Sequence, residues 1–173
     1  IAFYEQYGIE GFVALSKVIE LAKSLKIPVI LDAKRGDIGN TAKAYAKACF
    51  EELKVDAITL SPYLGEDSLT PFFEYTSKGF FILCRTSNKG SSDFQLLTLS
   101  NGESLFIDVA KKITNWNKNY SPCIGAVAGA THIDELKTIV NLFKENQPLP
   151  LLIPGVGSQG GDLNSIVTLL KDS

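Results

Sequence analysis

Within LDAKRGDIGN, residues 31–40, three ionisable side chains are spaced for joint chemistry: Asp32, Lys34 and Asp37. They follow the apolar run PVIL (28–31), which reads as a buried strand. Side chains alternate faces along a strand, so Asp32 and Lys34, two apart, are expected to point the same way. Burying a lone lysine is expensive, and the adjacent carboxylate compensates it while favouring the ammonium form. That argues against an amine nucleophile, which must lose its proton to attack, and for a proton donor or a cationic clamp. Asp37 lies beyond the strand. It either returns to the same site from the loop, reaches a neighbouring subunit's site, or caps the helix that follows, with Thr41 a turn later.

A second candidate is PGVGSQGGD, residues 154–162, with glycines at 155, 157, 160 and 161. Glycines let backbone N–H groups converge on a ligand, and a helix start just beyond adds to an anion site. Gln159 could donate its amide to a phosphate or a ring carbonyl. In CRTSN (84–88), Thr86 and Ser87 offer hydroxyls and amides, although the same residues are routine turn formers. Arg85 reads as a solvated charge in preference to a phosphate ligand, and His132, the one histidine, as a surface residue. One histidine and three cysteines without metal-like spacing (Cys49, Cys84, Cys123) make a zinc site or a histidine triad a poor fit. Cys84 and Cys123 read as small buried hydrophobes in strand-like runs.

The elements that must position these residues alternate. Helical spacing of Phe12, Leu15, Ile19, Ala22 and Leu25 marks a helix over 9–26. Strands are expected at 28–34, 56–63, 79–86, 121–130 and 150–157. Helices are expected at 38–53, 67–77, 104–117, through Ile133, Leu136, Ile139, Val140 and Phe143, and from 163 to 171. Such alternation implies a mostly parallel sheet covered by helices. Either a small open doubly wound sheet or part of an eight-stranded β/α barrel would satisfy it, and a barrel normally needs about 250 residues. In both, chemistry belongs at the carboxyl ends of the strands. Those ends read LDAKRGD, TLSPYLG, CRTSNKG, AVAGAT and IPGVGSQGGD.

The bulk numbers are those of one ordinary globular domain: 173 residues, 45% hydrophobic, formal net charge −2. No basic excess favours nucleic acid, and no apolar run is long enough to span a membrane. Cysteine usage fits a reducing cytoplasm. The chain has no methionine and opens IAFYEQYG, as if in mid-course, so it is expected to be a segment of a longer polypeptide.

Asp32-Ala-Lys34-Arg-Gly-Asp37-Ile38, with Thr41 four after the second aspartate, resembles the signature of the orotidine 5′-phosphate decarboxylase family. PGVGSQGGD resembles that family's phosphate loop, SPYLG, CRTSN and GAVAGAT fit its intervening strand ends, and IAFYEQYG resembles the stretch after its second strand. The helical insertions are similar to a branch found in some bacteria and protozoan parasites. The resemblance implies a (β/α)8 TIM barrel of which residues 1–173 carry roughly strands 3 to 7, one domain incomplete at both ends. The family's second-strand lysine would precede Ile1 and its phosphate-binding arginine would follow Ser173. It further implies a cytoplasmic homodimer that decarboxylates orotidine 5′-phosphate to UMP without metal or cofactor. In it Asp32 and Lys34 would stand beside the pyrimidine C6, and Asp37, Ile38 and Thr41 would complete the partner's site. Thr86 or Ser87 would meet the pyrimidine edge, and Pro154, Gly155, Gly157, Gln159 and Gly160 would hold the phosphate. Fusion to an orotate phosphoribosyltransferase is left open. The rivals are a magnesium-dependent sugar-phosphate decarboxylase or hexulose-phosphate synthase of the same superfamily, and a non-catalytic phosphate-ligand-binding module.

Overall fold

In the computed structural model of the chain, which describes residues 1–120, 123–146, 148–157 and 160–171, strands and helices alternate as the hydrophobic pattern requires. Contacts group the chain into two compact units, Ile1–Phe80 and Phe81–Ser173, whose boundary falls inside one strand.

The first unit begins with a single helical turn, α1 (Ala2–Glu5), and the long helix α2 (Gly8–Ser24). The buried row of α2 is Gly11, Leu15 and Ile19, spaced by four. Phe12 and Leu25, expected on that face, are exposed. The row is displaced because α1 packs at Gly11, where any Cβ would collide with the Tyr4 carbonyl. Next come β1 (Ile30–Arg35) and α3 (Gly39–Lys47), which buries only the small residues Ala42 and Ala46 and runs on as a π-helical turn, Ala48–Glu52. Strand β2 (Ala57–Leu60) is buried along its whole length and pairs in parallel with β1. The helix expected over 67–77 is shorter, a 3-10 turn at Glu66–Ser68 followed by α4 (Thr70–Phe73). Phe50, Phe73 and Phe80 close this core edge-on, with ring centroids 5.8 Å (Phe50–Phe80) and 5.2 Å (Phe73–Phe80) apart. The strand order is β1-β2-β3, and β3 (Gly79–Arg85) enters beside β2 through the Gly79 N–H bond to the Asp56 carbonyl, 2.9 Å.

The second unit takes the rest of β3, then α5 (Ser92–Gln95), α6 (Leu105–Tyr120), β4 (Ile124–Ala128), α7 (Ile133–Asn146), β5 (Leu151–Leu152) and α8 (Leu163–Lys171). Its strand order is β3-β4-β5, with β4 and β5 parallel. Every residue of β4 is buried, as befits a parallel strand covered on both faces. Leu136, Ile139, Val140 and Phe143 form the buried face of α7, whereas Ile133 is exposed in its first turn. Strand β5 is two residues long where eight were expected. Pro154 cannot donate to a ladder, and Gly155 turns left-handed at φ 94°, so pairing stops there.

Candidate functional site

Strand β1 does not run straight into its charged end. Ile30 and Leu31 sit opposite Ala57 and Ile58, but the next partner of β2's Leu60 is Arg35, so four steps along β1 match two along β2. The extra residues form a bulge holding Asp32, Ala33 and Lys34, and Lys34 takes a left-handed backbone, φ 49°. Among the described residues two others share that conformation, Lys26 and Lys54, each just after a helix, where a left-handed residue is the common terminator. Lys34 is the one inside a strand. For a side-chain-bearing residue that costs about 1–3 kcal/mol and is found where the surroundings hold it. What holds it is Thr59, a buried hydroxyl on β2. The Lys34 N–H donates to Thr59 Oγ1 at 2.9 Å, which replaces the lost ladder bond, and the same hydroxyl donates to Asp32 Oδ1 at 2.9 Å.

The two charged side chains meet as the sequence predicts, by a different route. Lys34 Nζ lies 2.7 Å from both carboxylate oxygens of Asp32. Plain strand alternation does not bring them together; the bulge and the left-handed turn do. The pair is also open, with 51% of the Lys34 and 57% of the Asp32 side chain exposed, where a buried pair was expected. Partial burial pushes the Asp32 carboxyl up, but the hydrogen bonds from Lys34 and Thr59, with the lysine's charge, outweigh it and hold Asp32 below its ordinary range. A cavity of about 330 Å³ adjoins the pair, lined by Phe3, Glu5, Asp32, Ala33 and Lys34 among others. Arg35, next in the strand, points away into an ion pair with Glu5 at 2.8 Å and lies over the Tyr45 ring, so it anchors α1 and α3 to β1.

Asp37 accepts the N–H of Ile38 at 2.8 Å. It does not cap α3, whose N-cap position is Ile38 with no side-chain bond to the helix. Ile38 and Thr41 are exposed in succession. That exposure leaves the expected role toward a second subunit open to this segment.

In the second unit, Arg85 overturns the solvated-charge reading. It is 2% exposed, contacts Ser91 Oγ through Nη1, and lies 3.4 Å from Glu135. A charged residue at a strand end reads as solvated from sequence, and only the folded loop 86–95 and α7 enclose it. Thr86 and Ser87 are half-buried at the mouth of β3. Thr86 is gripped by Gln95, whose Oε1 accepts the Thr86 N–H at 2.9 Å and whose Nε2 donates to Thr86 Oγ1 at 3.0 Å. The Ser87 backbone packs so closely on Gly129 that a Cβ there would lie 2.8 Å from the Ser87 nitrogen. His132, expected on the surface, is half-buried, and its Nε2 is enclosed without a hydrogen-bond partner among the described residues. Cys123 is exposed, against expectation, whereas burial pushes the Cys84 thiol up to about 12. In the first unit burial likewise takes the Cys49 thiol up to about 11.

The glycine loop is differently organised than its composition implies. Gly155, Gly157 and Gly160 are all left-handed, at φ 94°, 81° and 91°. Three of the loop's amides turn inward: Gly157 N–H to the Gly161 carbonyl, Gly160 N–H to Gly157, and Gly161 N–H to Gly155. The start of α8 is taken by Asp162, which accepts the N–H groups of Ser165 at 2.9 Å and Asn164 at 3.3 Å. The Ser165 hydroxyl, which donates to Asp162 Oδ2 at 2.5 Å, together with those backbone hydrogen bonds holds the Asp162 carboxyl below its ordinary range. Those three amides are thus engaged within the loop, and Asp162 occupies the helix start. Pro154 is exposed and its carbonyl accepts the Ala130 N–H at 2.8 Å; Gln159 lies outside the described residues.

Two functional partners escaped the sequence reading. Thr59 left one signal, a lone hydroxyl in the otherwise apolar strand AITL beside the charged strand. Gln95 left none, since a glutamine in a polar loop is ordinary.

Comparison with known proteins bears on both units. A family model described as orotidine 5′-phosphate decarboxylase / HUMPS family matches residues 1–169. A curated relative from Herpetosiphon aurantiacus, named orotidine 5′-phosphate decarboxylase, is 55% identical over 168 residues, covering 96% of this chain and 61% of that protein. Among solved structures, Leishmania donovani UMP synthase superposes with a TM-score of 0.89 at 44% identity, over 97% of this chain and 36% of that one. Leishmania donovani OMP decarboxylase does so at 0.85 and 43%, over 97% and 63%. The chain thus spans less than two thirds of the length of these relatives. Its fold is the parallel β/α class expected, part of the family's barrel. The signature strand end and the glycine loop both fall within the matched span, and the chain belongs to the orotidine 5′-phosphate decarboxylase / HUMPS family.

Proposed function

We propose that this chain carries the proton-donating centre of an enzyme that decarboxylates orotidine 5′-phosphate to UMP in pyrimidine biosynthesis, without metal or cofactor. The observation that carries the reading is the Lys34 ammonium held 2.7 Å from both Asp32 oxygens on a strained, Thr59-braced bulge. As the C6–carboxylate bond breaks, its electron pair stays on C6 and CO2 departs. Lys34 Nζ gives a proton to C6 and is recharged from solvent. Asp32 keeps the ammonium oriented, so the charge that develops at C6 meets a cation already in place. Thr86 or Ser87 meets the pyrimidine edge, and the family resemblance assigns Pro154, Gly155, Gly157, Gln159 and Gly160 to the phosphate. Asp37, Ile38 and Thr41 serve the active site of a second copy in a cytoplasmic homodimer, which accounts for the exposure of Ile38 and Thr41. A phosphoribosyltransferase fused in the same polypeptide is compatible with the UMP synthase name of one neighbour.

The test is absorbance loss of orotidine 5′-phosphate by the full polypeptide in excess EDTA. Turnover that persists there supports the reading; a strict need for added magnesium points to the sugar-phosphate branch of the superfamily. Lys34→Ala should lower kcat by at least about a thousandfold while UMP still binds, because it removes the proton donor and not the binding groups. Near-full kcat in that variant rules out the proton-donor role.

A further inference from the structure

Lys34 keeps its left-handed backbone only while the chain on both sides of it stays in place. A φ of 49° relaxes to an extended value by swinging the residues that follow, so the residue after the lysine decides whether the bulge lasts. Before the bulge, Ile30 and Leu31 are paired with Ala57 and Ile58 in the regular ladder. After it comes Arg35, which is fixed at three points. Its carbonyl accepts the Ser61 N–H at 2.8 Å, just past the end of β2. Its Nη2 donates to Glu5 Oε1 of α1 at 2.8 Å. Its guanidinium carbon sits 5.0 Å from the centre of the Tyr45 ring on α3.

Neither side-chain partner stands on a loose segment. α1, which presents Glu5, packs its Tyr4 carbonyl on Gly11 of α2, and α2 is seated by the buried Leu15 and Ile19. Tyr45 lies on α3, whose Ala42 and Ala46 are buried. The Arg35–Glu5 side chains are 25% and 36% exposed, against 51% and 57% for Lys34 and Asp32, so water weakens the first pair less. Gly36 closes the strand end against the same neighbour, since a Cβ there would lie 3.2 Å from Ser61 Cβ.

We infer that Arg35 is a positioning residue for the proton donor: clasped between Glu5 and Tyr45, it locks the left-handed backbone of Lys34 and so fixes where the ammonium stands. The inference rests on the reading that Lys34 protonates C6. Thr59 braces the bulge from the side and Arg35 from behind, and the lysine is fixed only while both act. An ion pair that served stability alone would leave no mark on turnover. Two clamps on one lysine leave a specific mark: once either is gone, losing the other costs little further rate.

Turnover of orotidine 5′-phosphate and the dissociation constant of UMP are measured on the full polypeptide. Arg35→Met keeps an apolar stem over Tyr45 and removes the guanidinium. It should lower kcat by about tenfold while UMP affinity stays within about twofold of wild type. Arg35→Lys, which again sets a cation facing Glu5, should recover part of the loss. In a double variant carrying Arg35→Met and Thr59→Val, the loss should fall short of the product of the two single losses by about threefold or more. Where Arg35→Met does not fold, Glu5→Gln carries the test: it weakens the clasp from the side of α1 and should lower kcat by about threefold. A kcat within about twofold of wild type in the variant tested, single losses that multiply in full, or UMP affinity that falls in step with kcat overturns the inference. Any of these leaves the decarboxylase reading intact while wild type turns over and Lys34→Ala does not. A wild-type protein that decarboxylates nothing, or a Lys34→Ala variant with near-full kcat, overturns that reading and this inference with it.

Discussion

At the scale of single residues, the centre is defined by how Lys34 is held more than by the pairing of two charges. An exposed Asp–Lys pair contributes little to stability by itself. Here the lysine backbone is left-handed inside a strand, and Thr59 supplies the bonds that keep it there. Thr59→Val preserves shape and removes both bonds. It should cost about 1–2 kcal/mol in urea unfolding and lower kcat by about tenfold, because Lys34 is no longer fixed. A variant with unchanged kcat would show that the bulge holds without the hydroxyl. The charge itself has a pH signature. Asp32 is depressed from an ordinary 3.8, so its stabilising contribution is complete above that value and is lost as pH falls through the lower folded one. The difference in urea midpoint between wild type and Asp32→Asn should persist at pH 5–7 and shrink below about pH 4. A difference that instead grows on acidification would contradict the assignment.

At the scale of elements, backbone approach decides where strands and loops can lie. Strand β4 passes so close to the start of β5 that a Cβ at Gly125 would collide with the Pro150 carbonyl, a partner that cannot swing aside. Gly125→Ala should therefore cost about 1–3 kcal/mol or more by chemical denaturation, through overpacking and not through lost contacts. A neutral Gly125→Ala would mean that β5 slides freely. This packing, together with Pro154 and the left-handed Gly155, explains why β5 is so short and why the loop after it folds on its own amides.

At the scale of the whole molecule, no described helix is long and apolar enough to cross a membrane. Large apolar side chains are exposed on the first unit, among them Phe3, Tyr7, Ile9 and Tyr63, alongside the exposed Ile38. In the proposed homodimer, Asp37 serves the partner's site while Lys34 serves its own. Mixing an Asp37→Ala chain with a Lys34→Ala chain should then restore roughly a quarter of wild-type activity, since half the dimers are hybrid and each has one intact site of two. No recovery despite proven subunit exchange would count against shared sites. UMP binding without turnover by the wild-type full polypeptide would favour the non-catalytic module instead.

The sequence by itself determined the alternation of strands and helices, the strand ends at which chemistry belongs, and the identity of the charged pair. These follow from hydrophobic period and from turn residues, both of which are local. It placed the buried face of α7 from Leu136 to Phe143 correctly, though not Ile133, because a covered surface leaves an apolar stripe. In α2 it placed Leu15 and Ile19 correctly but also counted Phe12 and Leu25, and missed Gly11, on which α1 packs. Only the tertiary structure decided the rest. Alternation alone predicted that Asp32 and Lys34 meet, but a bulge joins them, and a bulge depends on the register with β2, 25 residues away in sequence at the Lys34–Thr59 bond. Arg85 became a buried anchor and Gln95 a grip on Thr86 because loop 86–95 folds back over β3, a contact that no periodicity records. Which residues are present is written locally; which of them can hold one another is set by segments that meet only on folding.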